Sequence, residues 1–167
     1  MRKGEWLQTE FARSLHALAP AVSADCSALA HRIEDGGGSA KNVQPADFAF
    51  FGNSGRCCYI ECKETAEGKP FRLSRIAGHQ IDWLAAFDGL SIKFEGWVAL
   101  GWRAKGHPME SALVMVPVSK VAVYEAEHGR KSIPMDEARQ MGTECPRLVR
   151  MRSGKREYLW DLSRVLW

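Results

Sequence analysis

The sequence predicts a single α/β domain, a mixed sheet with an antiparallel β-hairpin near its centre and helices packed against it. Three observations carry that prediction. Trp6, Leu7, Phe11, Leu15 and Leu18 repeat at helical spacing, as do Ile76, Ile81, Leu84 and Phe87. Two apolar stretches, 45–51 and 57–63, flank the turn-rich segment Gly52-Asn53-Ser54-Gly55-Arg56. Residues 94–101 and 111–117 run apolar or alternate, as further strands of the same sheet do. A chain of 167 residues can bury one core of this kind, and it shows no repeat, linker or low-complexity tract that would divide it.

The elements follow in order. Residues 5–18 form a first helix, which Pro20 ends. A short strand lies within 21–34, and Asp35 to Asn42, with Gly36-Gly37-Gly38, is a turn-rich loop. The hairpin comes next, then a polar connection from Glu64 to Pro70. Ser74 can cap a second helix running to about residue 88. After the two later strands, 119–126 and 135–141 read as short helices. Leu148–Met151 and Glu157–Trp160 close a second hairpin around Ser153-Gly154, and 161–167 form a last short helix.

Composition removes several classes of function. No apolar run approaches the roughly 20 residues of a membrane span, and Met1 to Trp6 lacks the apolar core of a signal peptide. Five cysteines do not make a complete disulfide framework, and Cys57, Cys58 and Cys62 are not spaced as a zinc site. They read as reduced packing thiols of a cytoplasmic protein. The net charge of +3 is mild, but Arg147, Arg150, Arg152, Lys155 and Arg156 crowd one segment, with Arg130 and Lys131 before it. Such runs can neutralise phosphates and are also common on solvated hairpins. Trp97, Trp102, Trp160 and Trp167 are assigned to the core by default.

The first hairpin holds the chemistry. Side chains alternate along a strand, so Glu61 and Lys63 share a face while Cys58, Ile60 and Cys62 take the other. If 52–56 is the turn, symmetric pairing sets Asp47 opposite Glu61, with Cβ atoms roughly 4.5–5.5 Å apart. Two carboxylates that close repel unless a cation lies between them. Oxygen donors favour Mg²⁺ or Mn²⁺ over zinc, and the Cys62 backbone carbonyl can add a third oxygen. A lysine beside the site, Lys63, can orient a water or stabilise charge on a phosphate. The alternative at this point is an exposed hairpin with scattered charges.

Further motifs extend the pattern. Glu61-Cys62-Lys63-Glu64-Thr65, then Phe71 and Leu73, then His79-Gln80-Ile81, resemble the RecU-type Holliday junction resolvases of the PD-(D/E)XK nuclease superfamily. Gly129 to Ile133 with Asp136-Glu137 is similar to that family's late loop, and Lys3-Gly4 before the first helix also fits. The likeness spans most of the chain. It implies a restriction-endonuclease-like fold and a homodimeric, Mg²⁺- or Mn²⁺-dependent endonuclease that resolves four-way junctions by paired nicks.

By position, the resemblance makes Asp47 and Glu61 metal ligands and Lys63 the catalytic lysine. Where the first helix of such nucleases often carries a glutamate, this chain has Gln8, with Glu5 and Glu10 nearby. Gln8 is a candidate to hold a metal-bound water, and Glu10 a candidate substitute. Candidate DNA contacts are Arg32, Lys41, Thr65, Arg72, Gln80, Arg130 and Lys131, and His79 is expected to pack against the sheet. The long stalk that these resolvases often insert before the first aspartate is replaced here by a short strand and the Gly36–Gly38 loop. Another nuclease of the superfamily, acting on flaps, nicks or duplex sites, is the nearer alternative. A non-catalytic DNA-binding module is the more distant one.

Overall fold

The computed structural model describes residues 5–18, 29–32, 46–52 and 55–166. Their order is α1 (Glu5–Leu18), β1 (Leu29–Arg32), β2 (Phe48–Phe51), β3 (Cys57–Ala66), β4 (Phe71–Arg72), α2 (Gly78–Asp88), β5 (Phe94–Arg103), β6 (Ala112–Pro117), α3 (Val118–His128), β7 (Ser132–Ile133), α4 (Met135–Met141), β8 (Thr143–Glu144), β9 (Arg147–Arg152), β10 (Lys155–Trp160) and α5 (Ser163–Leu166). The main sheet is six-stranded and mixed, in the order β1-β2-β3-β5-β6-β8. β2 and β3 are antiparallel, whereas β3 and β5 are parallel, with α2 between them in the chain.

Both sheet faces are apolar because both are covered. Cys58, Ile60 and Cys62 of β3 pack with Phe48 and Phe50 beneath Trp6, Leu7, Phe11 and Leu15 of α1, and Val165 and Leu166 of α5 join them. On the opposite face Val98, Leu100, Trp102, Val114 and Val116 meet Leu84 of α2 and Val121 and Tyr124 of α3. Gly96 is where α2 comes closest to the sheet: a Cβ there would stand 2.6 Å from the Leu84 carbonyl oxygen. Its N–H donates to Asp88 Oδ1 at 3.0 Å, which holds the end of α2 on β5. No helix of the described residues is long and apolar enough to cross a membrane.

The predicted elements differ from the observed ones mainly at their ends. β3 runs to Ala66, into the predicted polar connection, because β5 extends to Arg103 and pairs with it along its whole length. Ser74 caps nothing: it lies in a 3₁₀ turn, Leu73–Arg75, and Ile76 is extended, so α2 starts at Gly78. The second hairpin, β9–β10, forms as expected but as a separate two-stranded sheet. Its turn residues Ser153 and Gly154 both have positive φ, 49° and 75°, as a two-residue hairpin turn requires. Trp102 and Trp160 are buried and Trp97 is half-buried, while Trp167 lies outside the described residues.

Candidate active site

β2 and β3 meet in the register expected from a turn centred on residue 54. Phe48 pairs with Ile60, where the ladder ends; Asp47 lies just before β2, its N–H donates to the Ile60 carbonyl at 3.1 Å, and its charge acts on Glu61. Gln8, Cys62 and Lys63 each hold one of the two carboxylates. Gln8 Nε2 donates to Asp47 Oδ1 at 2.6 Å, and the Cys62 N–H donates to Asp47 Oδ2 at 2.8 Å. Lys63 Nζ donates to Glu61 Oε1.

Glu61 is only 1% exposed, and its Oε2 is buried without a hydrogen-bond partner. Burial first, then the charge of Asp47, push its carboxyl above the usual carboxylate range; Lys63 and Gln80 oppose the shift. Gln80 reaches the site from the first turn of α2, where its Oε1 accepts the Ala77 N–H at 3.2 Å. The same side chain therefore caps the helix and stands close enough to temper the Glu61 charge, although no bond closes onto Oε2. A buried, unpartnered carboxylate oxygen beside a second carboxylate is costly by itself. These two residues fit a hard divalent cation, with remaining positions left to backbone, water or substrate oxygens. Among the described residues no group of three His, Cys, Asp or Glu side chains could hold a metal ion.

Residues 61–64 of β3 divide by face. Glu61 and Lys63 lie on the α2 side. Glu64 turns to the other, where its Oε2 accepts the Leu7 N–H at 3.0 Å and satisfies one of the open donors in the first turn of α1. Nothing in the sequence signals that role, since the partners are 57 residues apart. Beyond Lys63 the strand leads into an open basic groove. Thr65, Lys69, Arg72 and Arg75 line one part, and Arg103 and Lys105 line an adjoining part with Thr65 and Arg75. Arg75 is fixed by a bond to the Glu64 carbonyl. Lys69, Arg75, Arg103 and Lys105 are absent from the sequence-based candidates; the run of cations just after the Glu61–Thr65 segment is the signal that could have found the first two.

Arg130 and Lys131 come near this groove through the small β4–β7 sheet, in which Arg72 pairs with Ser132. The Leu73 N–H donates to the Lys131 carbonyl at 3.0 Å. Arg130 is paired with Glu137, and Lys131 lies 3.8 Å from Glu125. Arg32 belongs to β1, but its side chain lies outside the described residues, as do Lys41, Lys3-Gly4 and the Gly36–Gly38 loop.

Three expectations are corrected. Glu10 does not substitute at the carboxylate pair: its Oε2 lies 2.7 Å from Arg147 Nη2, off the line of a hydrogen bond. Arg147, in turn, offers nothing to a phosphate. Its side chain is only 4% exposed, and its guanidinium sits 3.7 Å over the Trp160 ring. His79 is exposed at the start of α2 rather than packed against the sheet. The described cysteines are all buried free thiols, as expected of packing residues.

No protein-family model matches the chain, and no curated protein matches it.

Proposed function

We propose that this protein is a metal-dependent DNA endonuclease of restriction-endonuclease-like architecture, acting on branched DNA and above all on four-way junctions. The observation that carries this reading is the buried Glu61 carboxylate, lying within reach of the Asp47 charge and contacted by Lys63. A structural ion pair has no use for the second carboxylate, which raises the cost of the first. Asp47 and Glu61 would hold Mg²⁺ or Mn²⁺, with the Cys62 carbonyl as a further oxygen. When bound, such an ion lowers the pKa of water and neutralises charge on a phosphate.

The chain's own groups supply the rest. Lys63 Nζ, already directed at the Glu61 carboxylate, orients the attacking water and stabilises charge on the reacting phosphate. Gln8 fixes the rotamer of Asp47, and Gln80 stands against Glu61. The groove of Thr65, Arg72 and Arg75 receives the neighbouring phosphates. The motif order from Glu61 to Ile81 supports the resolvase reading over other nucleases, and paired nicks call for a two-fold homodimer.

The test is to incubate the protein and its Asp47→Asn variant with labelled junction, flap, fork and plain duplex in Mg²⁺ or Mn²⁺. Cutting confined to wild type and strongest on the junction is expected. No cutting by wild type, or equal cutting by both proteins, overturns the nuclease reading. Preference for a flap or duplex retains the chemistry and removes the junction.

A further inference from the structure

In sequence the C-terminal arginines form one basic run, but the fold separates them. Arg147 is withdrawn into the core against Trp160 and Glu10. Arg150, Arg152, Lys155 and Arg156 stay exposed on β9 and β10. With Arg13 and His16 of α1 they line two adjoining hollows that share Arg13, Arg152 and Glu157. None of these residues belongs to the Asp47–Glu61–Lys63 site or to the Thr65 groove.

Charge is concentrated here. Five fixed cations, Arg13, Arg150, Arg152, Lys155 and Arg156, face the single carboxylate of Glu157, a local balance of +4. The entire chain carries only +3. Glu157 is occupied by Arg150, whose Nε and Nη2 lie 3.0 and 2.6 Å from its Oε2, with Arg152 at 3.9 Å. Lys155 and Arg156 form no salt bridge among the described residues. The walls are held together: the Trp160 N–H donates to Ser14 Oγ at 2.8 Å, which ties β10 to α1.

We infer that the groove between α1 and the β9–β10 hairpin is a second nucleic-acid surface, which grips the phosphate backbone of a duplex arm away from the reacting phosphate. Guanidinium and ammonium groups in a concave, rigid setting suit a polyanion, and contacts of this kind position without reading sequence. Exposed Val149 and Met151 beside the cations are also compatible with an anionic lipid surface. The concavity, walled by a helix on one side, favours the nucleic acid. The inference rests on the nuclease reading but is tested where cutting plays no part.

The experiment measures binding of a labelled blunt duplex in EDTA over a range of salt concentrations. It compares wild type with the triple variant Arg152→Gln/Lys155→Gln/Arg156→Gln and with a control, Lys93→Gln/Lys120→Gln. Unchanged thermal midpoints establish that all three are folded. The triple variant should bind at least about 10-fold more weakly at low salt. Its salt slope should shrink by about 2 to 3, at roughly 0.9 for each phosphate it no longer neutralises. The control should stay within about 3-fold of wild type. An unchanged slope in the triple variant overturns the inference, as does an equal loss in the control. Wild type that binds phosphatidylserine vesicles but not duplex overturns it too. If the groove binds as stated and no junction is ever cut, the nuclease reading fails while this surface stands.

Discussion

The side-chain amide of Gln8 donates to Asp47 Oδ1 over 2.6 Å, joining the second turn of α1 to the residue just before β2. This bond and the one from the Cys62 N–H both hold the Asp47 carboxylate. Gln8→Ala should therefore weaken Mn²⁺ binding and cleavage by about 10- to 100-fold, the usual loss when a ligand's supporting partner is removed. Isothermal titration and single-turnover cleavage measure the two effects. A variant equal to wild type in both removes the positioning role.

Metal binding has a readout that needs no substrate. Mn²⁺ at about 100 times its dissociation constant should stabilise the folded protein by about 2.7 kcal/mol. Asp47→Asn and Glu61→Gln should lose most of that gain in denaturant melts. An equal gain in all three proteins places the ion elsewhere.

Without metal, Glu61 makes stability depend on pH. Its carboxyl is raised by burial and by Asp47, so the folded state holds the proton more tightly than the unfolded chain does. The unstrained, protonated form is fully favoured below the unfolded value, and that advantage is lost as pH rises through the folded one. Denaturation midpoints of metal-free protein should thus fall as pH climbs above the ordinary glutamate range. Glu61→Gln should flatten the fall and exceed wild type at neutral pH. A variant that keeps the slope assigns it to another group.

Ser14 is wholly buried, donating to the Glu10 carbonyl and accepting the Trp160 N–H, each at 2.8 Å. Ser14→Ala leaves that buried N–H without a partner, which costs about 1–3 kcal/mol. Urea denaturation should show the loss in midpoint with an unchanged slope. A loss below about 0.5 kcal/mol would mean the hairpin shifts to satisfy the group in another way.

Burial pushes the thiols of Cys58 and Cys145 up to about 12. At pH 8 almost no thiolate is present at either, so both should resist alkylation in native protein and react only on unfolding. Mass spectrometry after a brief iodoacetamide pulse reads this directly; fast native labelling of either contradicts the burial described.

The register of β2 on β3, which brings Asp47 near Glu61, was legible because it depends on local features. Gly52 and Gly55 mark a symmetric turn, and alternation assigns the faces. The proximity of Gln80 was only half legible: its place on a helix was visible, but the helix start depends on Ile76 being extended, which Ser74 disguised. Glu64 holding Leu7, Ser14 holding Trp160 and Arg147 sinking onto Trp160 were invisible. Each joins parts of the chain whose local patterns do not refer to one another, and an exposed arginine and a buried one look the same in a run of five.

Helix α1 is gripped at three levels: by Glu64 at its first turn, by Asp47 at its second, and by the main chain of Trp160 at its third. From Gln8 to Ser14 is six residues, about 9 Å of helix, far too short to bend appreciably. It works as a strut. Through it the main chain of Trp160 and the carboxylate of Asp47, more than 100 positions apart in sequence, are held on one short rigid element. Attachment to a shared helix, rather than closeness in sequence, sets which parts of this molecule keep a fixed spacing.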